Sequence, residues 1–134
     1  MRLFTPVVLV LLASSLTACS KQPTYNEIEK EKKLCLIQGG SLITKQRGDQ
    51  SIYDVCIYED NRQCELKALA KGLCRKGGFK ITGYATEAAQ YCAITGGRYA
   101  AGLNSNTPQE TGSCTRRGRT CDAREYFENR CDLP

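Results

Sequence analysis

Eight of the nine cysteines form two sets of four with nearly the same spacing, and this pattern constrains the fold more than any other feature of the sequence. The first set is Cys35, Cys56, Cys64 and Cys74, and the second set is Cys92, Cys114, Cys121 and Cys131. The steps are 21, 8 and 10 residues in the first set and 22, 7 and 10 in the second, and the two sets are offset by 57 residues at both ends. A glycine pair follows the first cysteine of each set at the same distance, as Gly39-Gly40 and Gly96-Gly97. Repeated spacing of this kind predicts a tandem duplication.

The first 18 residues are typical of a secretory signal peptide. Arg2 supplies a short positive region, an apolar stretch follows over residues 6–12, and small residues lead up to Cys19. The apolar stretch is much shorter than the roughly 20 residues of a membrane-spanning helix, which disfavours the alternative of a retained membrane anchor. We therefore predict that residues 1–18 are removed on export.

The segment Leu16-Thr17-Ala18-Cys19 resembles the lipobox of bacterial lipoproteins. The resemblance implies cleavage before Cys19 and attachment of a diacylglyceryl group to its sulfur. Two or three acyl chains anchor a protein stably, whereas one chain binds only marginally. Ser20 implies sorting to the outer membrane, since an aspartate at that place commonly signals retention in the inner membrane. The expected mature protein is a lipoprotein on the periplasmic face of the outer membrane, with residues 19–24 as a lipidated tether.

Export changes what the remaining eight cysteines are expected to do, because the periplasm is oxidising. Disulfides are the expected state, and a zinc site is the weaker alternative. A unit of about 40 residues is near the size at which disulfides or metals become necessary for folding. A disulfide that closes a loop of about 20 residues adds roughly 3 kcal/mol to the free energy of unfolding. Because the chain has no Cys-x-x-Cys redox pair, all eight cysteines are predicted to be structural.

Each repeat predicts the same order of elements, namely a helix, a β-hairpin and a short second helix. Thr24 and Thr86 are suitable N-caps for the leading helices, and the glycine pairs suit their C-terminal ends. The predicted leading helices cover residues 25–38 and 87–95, the strands cover 41–45, 52–58, 98–103 and 112–116, and the second helices run from near Cys64 to Lys71 and from near Cys121 to Asn129. The expected fold class is α+β, with two tandem small disulfide-stapled units at residues 25–74 and 86–134 and a linker at residues 75–85.

The repeats resemble a small cysteine-rich bacterial lipoprotein domain of unknown function that is often labelled as a haemolysin. In the first repeat the resemblance lies in residues 35–40, 55–58 and 64–74, and in the second it is best over residues 88–97. Lys67 and Arg124 depart from the pattern, because the family usually has tryptophan there. The resemblance implies the disulfides Cys35–Cys56 and Cys92–Cys114, with Cys64–Cys74 and Cys121–Cys131 as the remaining pairs.

The composition argues against several classes of function. The chain has 19 basic and 14 acidic residues in mixed order, which is not typical of a nucleic-acid-binding surface. It has no histidine for a catalytic triad or a metal site. Asp122, Glu125 and Glu128 follow a helical spacing that is typical of a solvated face. We therefore expect no enzymatic activity, no cofactor, no metal, no nucleic-acid partner and no small-molecule substrate.

The most uneven charge feature is the cluster Arg116, Arg117 and Arg119, which we expect in the turn between a strand and the last helix. Guanidinium groups on a base fixed by nearby cysteines suit the carboxylates of an acidic protein surface or anionic lipid head groups. A solvated turn is the alternative. The three arginines are the predicted partner-binding residues.

The function that these features predict is that of a non-enzymatic lipoprotein, anchored in the outer membrane and facing the periplasm. It would be a binding or structural accessory subunit of a cell-envelope assembly, such as a secretion apparatus. The alternative is an inhibitor of an exogenous protease or muramidase, with the loop 104–111 as its inhibitory segment. A toxin function has only the haemolysin label in its favour.

Overall fold

The structure is a computed structural model that describes residues 22–134, and it is an α+β fold with four helices and two antiparallel sheets. The helices are α1 (Tyr25–Ile37), α2 (Leu66–Ala70), α3 (Glu87–Ile94) and α4 (Ala123–Phe127). The first sheet contains β1 (Ser41–Gln46), β2 (Ile52–Tyr58), β3 (Arg62–Glu65) and β4 (Phe79–Lys80), and the second contains β5 (Arg98–Ala101), β6 (Gly112–Arg116) and β7 (Arg119–Asp122). In each sheet the strands lie side by side in chain order.

The leading helices begin where the sequence predicts and end one residue earlier, at Ile37 and Ile94. Thr24 precedes α1 with extended backbone angles and donates its N–H to the Glu27 carboxylate, while the Thr86 hydroxyl accepts the Ala89 N–H at 3.1 Å. Gly39 follows α1 with a φ of +80°, in the left-handed region that favours glycine. The next N–H, that of Gly40, bonds back to the Cys35 carbonyl at 3.0 Å, which closes the helix with a Schellman motif.

Several predicted boundaries are wrong. The strand predicted over residues 98–103 ends at Ala101, and each sheet gains a third strand that includes residues expected at the start of a helix. The strands β3 and β7 pair with β2 and β6, so that α2 begins at Leu66 and α4 at Ala123 rather than near Cys64 and Cys121. The residues expected as a linker also contain β4, which pairs with β3. Tight turns explain the added strands, since Asp60 and Asn61 both have positive φ, as do Arg117 and Gly118. Such turns reverse the chain at once into an antiparallel strand.

The cysteines form four disulfides, in the pairs that the family resemblance implies. Cys35–Cys56 and Cys92–Cys114 join a leading helix to the central strand of its sheet, with Cα atoms 5.7 Å apart in both cases. Cys64–Cys74 and Cys121–Cys131 join the third strand to the segment that follows the short helix. The chain reaches these last positions by turning back after the short helices, at Gly72 and Asn129, which both have positive φ.

Alternation along β2 shows how the elements are layered. Cys56 packs in a cluster with α1 and α2, whereas its neighbours Val55 and Ile57 pack with the side chains of α3 and α4. Successive residues of a strand point to opposite faces, so the first sheet is covered on both sides. The helices α3 and α4 also pack on the second sheet, through Cys114 and Cys121. The order of layers is therefore α1 and α2, the first sheet, α3 and α4, and the second sheet.

Arg47, in the turn between β1 and β2, connects the first sheet to the helices beyond it. Its Cζ atom lies 4.8 Å from the centroid of the Tyr91 ring. Its Nη2 donates to the Tyr126 carbonyl at 2.7 Å and its Nε to the Phe127 carbonyl at 3.2 Å. These carbonyls belong to the last turn of α4, which carries the negative end of the helix dipole, and the Tyr126 carbonyl also accepts the Asn129 N–H at 3.2 Å. Arg47 therefore caps α4 across the boundary between the two layers.

We expect the substitution Arg47→Ala to lower the free energy of unfolding by about 2–3 kcal/mol. Three hydrogen bonds from a charged donor, the third being that of Nη1 to the Asn129 side chain at 3.3 Å, are lost together with a cation–π contact. The measurement is urea unfolding of the oxidised protein. Arg75→Ala is the matched control, since Arg75 lies over the Phe79 ring at 5.0 Å but is exposed, and it should cost less than about 1 kcal/mol. Equal losses in the two variants would show that Arg47 does not hold the layers together.

Candidate functional site

A groove of about 350 Å³ lies along one side of the molecule, where the first three layers meet. One wall comes from α1, α2 and the adjacent ends of β2 and β3, and the other from α3, α4 and the last residues of the chain. Cys64–Cys74 borders the first wall through Glu65 and Leu73. Cys121–Cys131 borders the second through Asp132 and Leu133. Both walls are therefore fixed by covalent cross-links.

Three tyrosine rings form the floor of the groove. The Tyr91 centroid lies 5.1 Å from that of Tyr53 and 5.2 Å from that of Tyr126. Burial raises the pKa of Tyr53 to about 12 and also raises the pKa of Tyr91 and Tyr126. The hydroxyl groups are therefore neutral at physiological pH. Rings of this kind offer an apolar face together with a polar edge.

Charged groups of both signs surround the tyrosines. Glu65 is buried and caps α2, accepting the Lys67 N–H at 3.1 Å and the Ala68 N–H at 2.8 Å. Glu31 of α1 lies on the same wall, where partial burial and the negative charge of Glu65 raise its pKa. The exposed Lys67 and Lys71 complete the rim on this wall. The groove suits a ligand that carries apolar and charged groups side by side.

The prediction that Arg116 binds a partner is wrong, because the structure buries this side chain. Its Nη1 donates to the Thr95 carbonyl at 3.1 Å and to the Tyr126 hydroxyl at 2.8 Å, and its Nη2 donates to the Leu133 carbonyl at 2.8 Å. Its Nε also donates to the carbonyl of Pro134. All three guanidinium nitrogens are thus used to fasten the last residues of the chain to the base of α3. Arg116 therefore supports the second wall of the groove through hydrogen bonds made beneath its surface.

Arg117 and Arg119 are exposed, and their role in partner binding stays a prediction. Arg117 lies in the β-hairpin turn between β6 and β7, and Arg119 is the first residue of β7, so this turn does not join a strand to a helix as we expected. Arg117 has a φ of +48° and is followed by Gly118 at +78°. Two positive φ values at the centre of a two-residue turn are typical of the type I′ hairpin.

The loop 104–111, which we expected as the inhibitory segment, folds around the carboxylate of Glu110. This carboxylate accepts the Tyr99 hydroxyl at 2.6 Å and the Asn106 N–H at 2.7 Å. These hydrogen bonds, that of Tyr99 first, hold the pKa of Glu110 below its usual value. The ends of the loop are joined by the Thr111 N–H and the Leu103 carbonyl at 3.0 Å. The loop is therefore rigid, and Leu103 lies exposed beside it.

The acidic residues of α4 do not converge on one point. Asp122 caps the helix and accepts the N–H groups of Arg124 and Glu125 at 2.9 and 3.0 Å. Glu128 pairs with Arg130 instead. In the part of the chain that the structure describes, no cluster of three potential metal-ligating side chains occurs, and every buried side-chain nitrogen or oxygen has a hydrogen-bond partner.

The groove had no signal in the sequence, since its walls come from segments that lie far apart in the chain. The predicted signal peptide of residues 1–18 and the predicted lipidation site Cys19 lie outside the described residues. From residue 22 to the end, none of the helices has the length and apolar character needed to cross a membrane. No protein-family model, no curated protein and no solved structure matches the chain.

We expect the loop 104–111 to loosen in acid. Because the pKa of Glu110 is lowered on folding, its carboxylate contributes stability that is fully present above about pH 4.5 and is lost as the pH falls through the lower pKa of the folded protein. Hydrogen–deuterium exchange of the loop amides, corrected for intrinsic rates, should accelerate in this window while that of the β2 amides does not. Glu110→Gln is the control and should remove the pH dependence. The same pH profile in both proteins would contradict the assignment.

Proposed function

We propose that this protein is a non-enzymatic, outer-membrane-anchored periplasmic lipoprotein that binds another protein of a cell-envelope assembly, such as a secretion apparatus. The observation that carries the proposal is the groove, whose two walls are each bordered by a disulfide. A rigid surface loses little conformational entropy on binding, so that more of the contact energy appears as affinity. The lipid anchor at Cys19 and the envelope location are parts of this proposal.

We also propose that the chain is a tandem duplication of one helix–hairpin–short-helix unit, of the kind seen in the haemolysin-labelled lipoprotein domain. The same succession of helix, three strands and short helix in both halves supports it. Equivalent positions of the two halves make equivalent contacts between the central strand and the end of the leading helix. Tyr58 donates to the Gln38 side chain in the first half, and Arg116 donates to the Thr95 carbonyl in the second.

The duplication accounts for the polar face of the last layer. Beside Cys56 lie Val55 and Ile57, which pack against the next helix layer, whereas Ser113 and Thr115 lie beside Cys114. No layer follows the second sheet within residues 22–134, and stacked repeats need a polar outer face at their ends. The second unit therefore closes the stack, which leaves the groove as the concave, partly apolar surface for a partner.

The chemistry of the groove indicates what kind of partner it fits. Tyrosine rings are enriched at the centres of protein interfaces because they combine a large apolar area with a hydrogen-bonding edge. Ile52 stands on the rim and is 75% exposed, which is unusual for an isoleucine next to a concave surface. A protein segment that inserts one apolar side chain over Tyr53 and pairs its own charges with Lys67 and Glu31 matches this arrangement.

The inhibitor function remains the second candidate, on account of the rigid loop 104–111. A loop whose ends are joined by hydrogen bonds and whose centre is held by Glu110 presents a fixed surface to a target. Leu103 is 74% exposed at its base and would be the apolar contact. Ile52 and Leu103 thus mark the two candidate surfaces with side chains of similar size and exposure.

The test is cross-linking in intact cells of the producing bacterium, followed by purification of the protein under denaturing conditions. Ile52→Glu should reduce recovery of the cross-linked partner roughly tenfold, because about 1.5–3 kcal/mol of apolar burial is lost and a charge is introduced. Leu103→Glu is the matched control and should leave recovery unchanged. Arg117→Ser with Arg119→Ser tests the exposed arginines in the same assay.

The outcomes separate the candidates. Loss of an envelope protein with Ile52→Glu alone supports the groove, whereas loss of a secreted hydrolase with Leu103→Glu alone supports the inhibitor function. Equal recovery from wild type and all variants would show that neither surface binds a partner.

A further inference from the structure

The position of α1 restricts how the molecule can lie on a membrane, given the lipid anchor of the proposed function. Only five residues separate Cys19 from Tyr25, the first residue of α1. A fully extended chain spans at most about 3.6 Å per residue, so the acylated cysteine lies within about 20 Å of the start of α1. Since α1 belongs to the first layer, the anchor is at one end of the stack.

The outward side of α1 carries apolar residues at both ends. Tyr25, Leu36 and Ile37 are all exposed. Tyr25 and Leu36 are eleven residues apart, which brings them to about the same side of a helix with 3.6 residues per turn. Lys33, Ile37 and Lys30 are also exposed and lie about 80°, 120° and 140° further round the helix, so the outward side is a broad face with Tyr25 and Leu36 along one edge. Glu29 lies within this face and is paired with Lys32 at 3.9 Å.

A comparison with α3 shows that this side of α1 lacks a covering layer. Ile94 of α3 is 1% exposed, because it lies between its own unit and the first sheet. Ile37 occupies the corresponding position of α1, 57 residues earlier, and is 72% exposed. In the described part of the chain, no sheet covers α1 as the first sheet covers α3.

We propose that the outer face of α1, defined by Tyr25, Lys30, Lys33, Leu36 and Ile37, docks flat on the lipid surface in which Cys19 is anchored. Tyrosine favours the boundary between head groups and acyl chains, and an interfacial helix buries its apolar side chains there. The two lysines lie at the level of the head groups, where anionic lipids attract them. The tether is short enough to hold the helix at this surface and needs no further length.

This orientation assigns the far end of the stack to the periplasm. Layers of helices and sheets pack roughly 10 Å apart, so the second sheet lies about 30 Å from the lipid. Arg117, Arg119 and the loop 104–111 belong to that end. A partner of the exposed arginines is then an acidic protein surface, and not the lipid head groups of the anchoring membrane.

The chain has no tryptophan, so single tryptophans report its orientation without background. Mature protein purified from the membranes of the producing cells is placed in vesicles of three parts phosphatidylethanolamine to one part phosphatidylglycerol, with or without brominated acyl chains. We expect Ile37→Trp to lose about half or more of its emission to the bromines, since interfacial helices bury their apolar face about 5–10 Å deep. Leu103→Trp, a site of similar exposure in the segment that follows β5, should keep its emission.

Each outcome decides the proposal. The proposal is overturned if the brominated chains quench Ile37→Trp and Leu103→Trp equally. It is also overturned if they quench Tyr25→Trp but not Ile37→Trp, because the helix axis would then be roughly perpendicular to the membrane. Mass spectrometry of the same samples detects any acyl chains on Cys19 directly. Missing acyl chains overturn the proposed anchor together with this inference, whereas acyl chains without quenching of Ile37→Trp overturn the inference alone.

Discussion

The disulfides Cys35–Cys56 and Cys92–Cys114 are the constraint on which the rest of the structure depends. All four cysteines are buried, and each bond ties a leading helix to an inner strand of a small sheet. The glycine pairs are needed for these disulfides as well as for the C-terminal ends of the leading helices. A Cβ atom at Gly40 or Gly97 would collide with both sulfurs of the adjacent disulfide, so the chain can leave the helix and enter the sheet only through glycine there.

Stacking extends this stability beyond one unit. The first sheet has apolar residues on both faces, and the helices α3 and α4 contact a sheet on either side. Arg47 fastens the same boundary by hydrogen bonds to the end of α4. In a chain with few aromatic residues, this arrangement places Tyr53, Tyr91 and Tyr126 together at the junction. The groove is therefore a consequence of how the layers join, with its walls fixed by the other two disulfides.

The sequence predicts the parts of the fold that depend on local geometry. Cysteine spacing, the threonine caps and the glycine pairs placed the leading helices and the hairpins, and the family resemblance implied the correct cysteine pairs. The short strands β3 and β7 were missed because each has only four residues, with a charged residue at either end, and such a segment shows no clear alternation of apolar and polar residues. Their turns were a usable signal at Asp60-Asn61 and at Gly118, since aspartate, asparagine and glycine accept positive φ. The burial of Arg116 was also readable, because it lies two residues after the buried Cys114 on the same strand and shares its face. The groove itself depends on contacts between distant segments, which no local pattern encodes.

The measurement that tests this account most directly is a disulfide map of the oxidised protein by tryptic digestion without reduction. A lysine or arginine lies between every two neighbouring cysteines from Cys35 to Cys131, so that trypsin can separate all eight. The account predicts four linked peptide pairs, Cys35–Cys56, Cys64–Cys74, Cys92–Cys114 and Cys121–Cys131. A bond between any cysteine of residues 35–74 and any cysteine of residues 92–131 would contradict it, because all four bonds of the structure lie within one of these two ranges.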